Sequence, residues 1–372
     1  MIFASGLPLF TQANVFGGGS EINSGLFHKL PQKYLEKFSD AFGVENKVWL
    51  EHEQRIYTDL NPIEMNVSGD SSLLARGSKD IGLIVSNIPR WRTYSKSGEF
   101  EHRGMNSIYW GQLALNPDIN LFSRVEAVNI NVKSDEYVSV LVREVETGKL
   151  KTIKTKRVHL AGGPISTPAL LAKSRLIKWR DTRFSWHPMI RVVASTKHTD
   201  LGLGDIDPFQ SWTSDRRLKF GSAVSTAPLL AIALGREVND EEIHSLRSYY
   251  VTYSSSGRGG ILPILKMPWY RFSKSDRQNS REGIAMLKEI VESGGGKLIN
   301  EQEISANKHS TVHIFGTLPI TSRVFIPGTN QLTKDSRVRV SDGSILPFGP
   351  GVNPQGVIMT AVSAINRDLK IV

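Results

Sequence analysis

His313-Ile-Phe-Gly-Thr317, Val340-Ser-Asp-Gly-Ser-Ile-Leu-Pro347 and Gly351-Val-Asn-Pro-Gln355 follow one another within the last sixty residues of the chain. The first places a histidine beside a Gly-Thr turn. The second runs from a short apolar strand into an Asp-Gly turn. The third puts Asn-Pro at the head of a helix with the apolar face Val357, Ile358, Ala361, Ile365 and Leu369. A histidine and an asparagine brought together this way can handle one hydroxyl: one accepts its proton, the other holds its oxygen.

Upstream, a Gly-rich turn covers Gly17, Gly18, Gly19 and Ser20, and Asn23 follows it. Leu35, Phe38 and Phe42 share one face of a predicted helix over Lys33 to Phe42, with Gly43 as its stop. A polar, mixed region extends to about Arg103. Ile119 to Val145 alternates apolar and polar residues, which predicts antiparallel strands. Arg157 to Leu160 reads as a strand entering Ala161-Gly162-Gly163. A helix should follow, with Ser166 or Thr167 as N-cap and Pro168 at its first position. Strand, glycine turn and helix N-terminus in that order make a cofactor-facing corner. Phe184 to Ile264 is rich in β-branched and aromatic residues and predicts a second, mostly antiparallel sheet. Ile284, Leu287 and Val291 mark an amphipathic helix that stops at Gly294.

These motifs, in their order and across nearly the whole chain, resemble the glucose-methanol-choline (GMC) family of FAD-dependent alcohol oxidoreductases. The resemblance rests on the three C-terminal segments, on Val15-Phe-Gly-Gly-Gly-Ser-Glu-Ile-Asn23, and on Ala161-Gly-Gly-Pro-Ile-Ser-Thr-Pro-Ala-Leu-Leu171. It implies an α/β fold: a doubly wound, Rossmann-like FAD-binding domain, incomplete at its N-terminus, with an antiparallel-sheet substrate domain. The expected division gives residues 1–30, 105–183 and 310–372 to the FAD-binding domain, and 31–104 and 184–309 to the substrate-binding or cap domain.

The resemblance also implies roles. Gly17, Gly18, Gly19 and Ser20 would lie along the flavin, with Asn23 on its ring or ribityl chain. Val125, Ala161 and Gly162 would pack against the dinucleotide. Asp342 and Gly343 would meet the ribityl–phosphate region. The helix head at Asn353, Pro354 and Gln355 would face the flavin pyrimidine, where its partial positive charge stabilises the reduced ring. His313 would accept the alcohol proton while hydride leaves for flavin N5, and Asn353 would position the oxygen. The expected reaction is FAD-dependent oxidation of an alcohol, a sugar or polyol CH–OH, to a carbonyl. Oxygen and a separate electron carrier both stand as acceptors.

Each residue also has a plain structural reading. The glycine loop can be an ordinary turn, Asp342 a solvated turn residue, Asn353 a helix cap, and His313 a structural histidine. The chain departs from the family pattern at Ser174-Arg175, at Ile320 or Thr321 after the Gly-Thr turn, and in lacking a G-x-G-x-x-G turn before Gly17. A truncated reading, a split enzyme with a separate N-terminal FAD-binding half, and a decayed remnant acting as an interaction protein each account for that last departure.

Composition narrows the field. An apolar share of 40% over 372 residues indicates a packed protein of one large or two ordinary domains. The chain has no cysteine, which excludes disulfides and thiolate chemistry. No run approaches a membrane span, Met1 to Phe10 lacks the features of a signal peptide, and a cytoplasmic location is expected. The formal charge is +10, but Lys and Arg are scattered. A basic surface that attracts anionic substrates, or is merely solvated, is expected rather than nucleic-acid binding. A basic surface-binding protein is the remaining competing class. No cluster has metal spacing. His187 is assigned to the substrate domain, and His28 and His102 to structural roles. Gly202-Leu-Gly204 and Gly294-Gly-Gly-Lys297 fail as nucleotide fingerprints.

Overall fold

The computed structural model describes residues 9–10, 12–64, 72–91, 93–94, 100–101, 104–196, 206–262, 267–299 and 309–367. His102, Leu369 and the Gly202-Leu-Gly204 stretch lie outside the described residues.

The larger sheet has eight strands among the described residues. Its order is Leu9–Phe10, Ser310–Thr311, Met189–Ser195, Leu246–Tyr253, Leu218–Ala223, Phe209–Trp212 and Ile84–Asn87, with Lys297–Leu298 also paired to Met189–Ser195. The long central strands pair antiparallel. Ile84–Asn87 comes from the region read only as polar and mixed.

Strand periodicity gives this sheet two different faces. Ile190, Val192, Leu218, Phe220, Tyr249 and Val251 point one way and pack on Leu74, Leu287, Ile290 and Val291. Those partners come from the helices Leu73–Asp80 and Lys274–Ser293. The other face carries Arg191 opposite Tyr250, Tyr250 opposite Gly221, and Lys219 opposite both Thr252 and Trp212.

The two helices approach so closely that a Cβ on Gly77 would stand 1.8 Å from the Ile290 carbonyl oxygen. Gly77→Ala should therefore lower stability by about 2 kcal/mol despite alanine's better helix propensity. Urea unfolding would read this as a lower midpoint with an unchanged slope. An unchanged midpoint would contradict the close packing.

The second module holds a parallel pair, Val158–Leu160 with Val338–Val340, and a three-stranded meander of Val125–Asn131, Val138–Glu144 and Leu150–Thr155. Its core joins Leu160, Leu171, Val338 and Val340 to Val357 and Ala361 of the helix Gln355–Ile365. Mixed α/β architecture with a mostly antiparallel second sheet follows the sequence expectation.

Two local expectations change. Leu35, Phe38, Phe42 and Trp49, from the helices Gln32–Phe42 and Asn46–Leu60, pack into the core of this second module. The expected assignment of 31–104 to the substrate domain thus departs from the packing, which joins the large sheet only from Leu73 onward. Gly43 does end the first helix in a left-handed turn (φ 62°), and a Cβ there would stand 2.9 Å from Gly328 Cα. The mid-chain helix is Gly163–Lys173, capped at Gly162, and not the later start expected at Ser166 or Thr167. Thr167 lies inside it and turns its hydroxyl to other work.

Candidate active site

The glycine corners open on one groove of about 2590 Å³, lined among others by Gly17, Gly18, Val125, Ala161 and Gly162. These come from three separate stretches of sequence, and the fold brings them together. Gly17 and Gly18 both have positive φ (89° and 63°), and a Cβ on Gly18 or Gly19 would meet nothing within 4 Å. The loop backbone is therefore bare toward the groove. Ser20 is buried, and its hydroxyl donates to the Gly17 carbonyl at 2.8 Å, which closes the turn. Glu21 fixes it from behind: its carboxylate accepts from the Asn106 N–H at 3.1 Å.

Asp342 is buried but fully engaged. One carboxylate oxygen accepts from the Gly163 N–H at 2.9 Å and the Thr167 hydroxyl at 2.6 Å; the other accepts from the Ser344 N–H at 2.8 Å. Burial raises its pKa, while these donors oppose the rise. Asp342 thus ties the Gly162–Gly163 corner to the Gly343 turn and has its hydrogen bonds inside the protein. Gly343 admits the close approach of Ile358, whose Cδ1 would stand 2.9 Å from an added Cβ.

The second group of expected residues meets at the head of the helix Gln355–Ile365. Pro354 occupies the cap position, and Asn353 does not cap with its side chain. Asn353 Oδ1 instead accepts from the Lys219 ammonium, and the Asn23 amide donates to Gln355 Oε1. Asn23 Oδ1 accepts from the Gly25 N–H at 2.8 Å, which orients that amide.

His313 precedes the short strand Ile314–Phe315, which pairs with Ser185–Trp186. Gly316, at φ 59°, donates its N–H to the Gly343 carbonyl at 2.8 Å, so the histidine segment and the Asp342 turn are one unit. Leu318 and Ile320 extend this pairing to Ser344 and Ile345. The His187 ring stands edge-on to His313 at 5.5 Å between centroids, and against Phe315 at 4.7 Å.

No hydrogen bond joins His313 to Asn353 directly among the described residues; Lys219 links them. It bonds Asn353 and acts on His313 through its charge. Burial, then Lys219, then Arg191, push the His313 pKa down to about 3. His28 and His187 are likewise held well below the ordinary range, mainly by burial. His28 Nε2, His187 Nε2 and His313 Nδ1 are buried without a hydrogen-bond partner. All three imidazoles are therefore neutral at pH 7 and carry unused polar atoms into one region.

Lys219 is only 4% exposed, and burial lowers its pKa to about 7. Sequence reading missed it, since a single lysine in Leu-Lys-Phe-Gly-Ser-Ala carries no motif. A signal existed: the lysine breaks a strand whose neighbours are small or apolar. Gly221, two residues on, leaves room for Tyr250, whose hydroxyl oxygen would stand 2.6 Å from an added Cβ.

This burial has a sign that can be measured. Between pH 7 and 9.5 the unfolded chain keeps the Lys219 proton while the folded chain loses it, so stability should rise with pH, by on the order of 3 kcal/mol. The depressed histidines add a rise in the same direction that lies below about pH 6.5 and is complete there. Urea unfolding from about pH 5 to 9.5 should show both. Lys219→Met should remove the upper rise and leave the lower one; an unaltered upper rise would contradict the burial of an unpaired amine.

Comparisons with known proteins agree with one another on family and fold. The family profile described as GMC oxidoreductase matches residues 5–189. An uncharacterized GMC-type oxidoreductase, y4nJ, of Sinorhizobium fredii is 21% identical over 420 aligned positions, covering 94% of this chain and 79% of its own. The crystal structure of pyridoxine 4-oxidase from Mesorbium loti superposes with a TM-score of 0.72 at 12% identity, over 96% of this chain and 84% of that one. That structural likeness is one of fold. No helix among the described residues is long and apolar enough to cross a membrane, and none of their acidic and histidine side chains form a metal-binding group.

Proposed function

With the chain a GMC-type oxidoreductase, we propose that it oxidises an alcohol, a sugar or polyol CH–OH, to a carbonyl with FAD as its cofactor. The observation that carries this reading is the hydrogen bond from the buried Lys219 to Asn353, at the junction of the glycine-lined groove module and the larger sheet, with His313 within the field of that lysine.

The residues present suit FAD. The bare backbone at Gly18 and the Ala161–Gly162 corner, both on the groove, suit the approach of a flat group. Val125 offers an apolar wall on the same groove. Asn23 and Gln355 are paired with each other, and in this reading they would meet the ring edge together. Asp342 would support the cofactor indirectly, by holding the turns that line its site. When bound, FAD supplies the acceptor for a hydride from the alcohol carbon.

The chain's own residues handle the proton and the oxygen. His313 is neutral at working pH and has an unpartnered ring nitrogen, so it can accept the hydroxyl proton. Asn353 gives its carbonyl to Lys219, and its amide hydrogens stay available to the substrate oxygen. Lys219, charged in part near pH 7, places positive potential where negative charge develops during the reaction. Phe315 packs against His187, whose ring in turn stands edge-on to His313.

The test is the absorbance spectrum of the purified chain after incubation with FAD and removal of the unbound cofactor. A retained flavin supports the reading; a spectrum of protein alone removes it.

A further inference from the structure

A buried cation normally has a carboxylate beside it, because desolvation disfavours its charge. The face of the large sheet that looks toward His313 breaks this pattern twice. Lys219 bonds Asn353, a neutral amide. Arg191 donates to the Ser310 hydroxyl at 2.6 Å, and burial lowers its pKa as well. Among the described residues neither has an acidic partner. The two flank one aromatic ring: Arg191 is the cross-strand neighbour of Tyr250, and the Lys219 ammonium lies 6.0 Å from the Tyr250 ring centroid. Both act on His313 through their charge.

A pocket of about 520 Å³ opens at the Lys219 end of this pair. His28, Trp212 and Val352 line it, and Trp212 is the cross-strand neighbour of Lys219 while Val352 adjoins Asn353. Its lining also includes Lys29, Lys33 and Arg216 and no acidic side chain. A mouth with one sign of charge raises the local concentration of opposite ions.

We propose that Lys219 and Arg191 form an anion subsite beside His313, so that the alcohol this chain oxidises carries a carboxylate or phosphate group. The proposal rests on the oxidoreductase reading above and specifies its substrate. An anion that reaches both cations supplies a counter-charge that no described residue provides, and offsets the field that opposes protonation of His313. The hydroxyl at the other end of the molecule is thereby directed to His313 and Asn353.

Calorimetric titration of the FAD-treated chain with glycerol, glycerate and glycerol 3-phosphate tests this without turnover. We expect at least one anion to bind about tenfold or more tightly than glycerol, with glycerate or glycerol 3-phosphate identifying carboxylate or phosphate. Lys219→Met and Arg191→Met should each reduce that preference to within about twofold. Arg191→Lys, which keeps the charge, should retain most of it and controls for folding. Equal affinity for the three ligands, absence of anion binding, or a preference that survives both methionine variants overturns the subsite. Flavin retention in the same samples separates the two failures: a chain that keeps FAD without anion preference loses the subsite alone, whereas one that binds the anion but never FAD loses the oxidoreductase reading.

Discussion

His313→Ala lowers the rate at which an alcohol reduces the bound flavin by about 10²–10⁴-fold, the usual contribution of a positioned base, while FAD binding stays nearly unchanged. The argument is geometric. The His313 ring has an unpartnered nitrogen, a fixed edge-on neighbour in His187, and a backbone held through Gly316 to the Asp342 turn. Its low pKa keeps it unprotonated across the working range, so the acid limb of the rate profile should not be its own. Lys219, lowered by burial to about 7, does titrate in that range. A titration near pH 7 in the wild-type rate should therefore vanish in Lys219→Met and persist, at low rate, in His313→Ala. Anaerobic rapid-mixing measurements read both effects. A His313→Ala rate within threefold or so of wild type would remove the histidine from the chemistry.

Asn353→Ala should lower the same rate by about 10²–10³-fold, the scale found when one preorganised donor is deleted. The substitution has a second consequence that a purely local cap would not show. Lys219 loses the acceptor of its ammonium inside the protein. A hydrogen bond to a charged group contributes about 1.5–3 kcal/mol, and this one weakens once the amine is neutral. The stability lost in Asn353→Ala should therefore be larger at pH 6 than at pH 9. Asn353→Asp should reverse the stability effect by supplying a counter-charge, and should move the Lys219 titration upward. Urea midpoints at the two pH values check the prediction. A loss independent of pH would mean that Asn353 and Lys219 are not coupled.

What could be read from the sequence depended on whether a residue's role was local. Gly17, Gly18 and Gly163 were legible because left-handed backbone at a corner asks for glycine whatever surrounds it. Asn353-Pro354 was legible as a helix head because proline fits the start of a helix and stops its interior. Thr167 was misplaced for the opposite reason. It is a good cap by type, yet its hydroxyl is taken by Asp342, 175 residues away in sequence. The helices Gln32–Phe42 and Asn46–Leu60 show a clear apolar face, but a face does not say which core it will join. Lys219 was hidden because Leu218–Ala223 is buried on both sides for nearly all its length, so alternation carries no polarity signal. Only the pairing of three strands, with Gly221 clearing space for Tyr250, reveals that the lysine faces the candidate active site.

The most direct test of the central claim is anaerobic mixing of the FAD-bound chain with a panel of neutral and anionic alcohols, following the flavin absorbance and the carbonyl product together. The account predicts that at least one alcohol bleaches the flavin with one carbonyl formed per flavin, more slowly when the carbinol carbon bears deuterium. A bound flavin that no alcohol bleaches would contradict it.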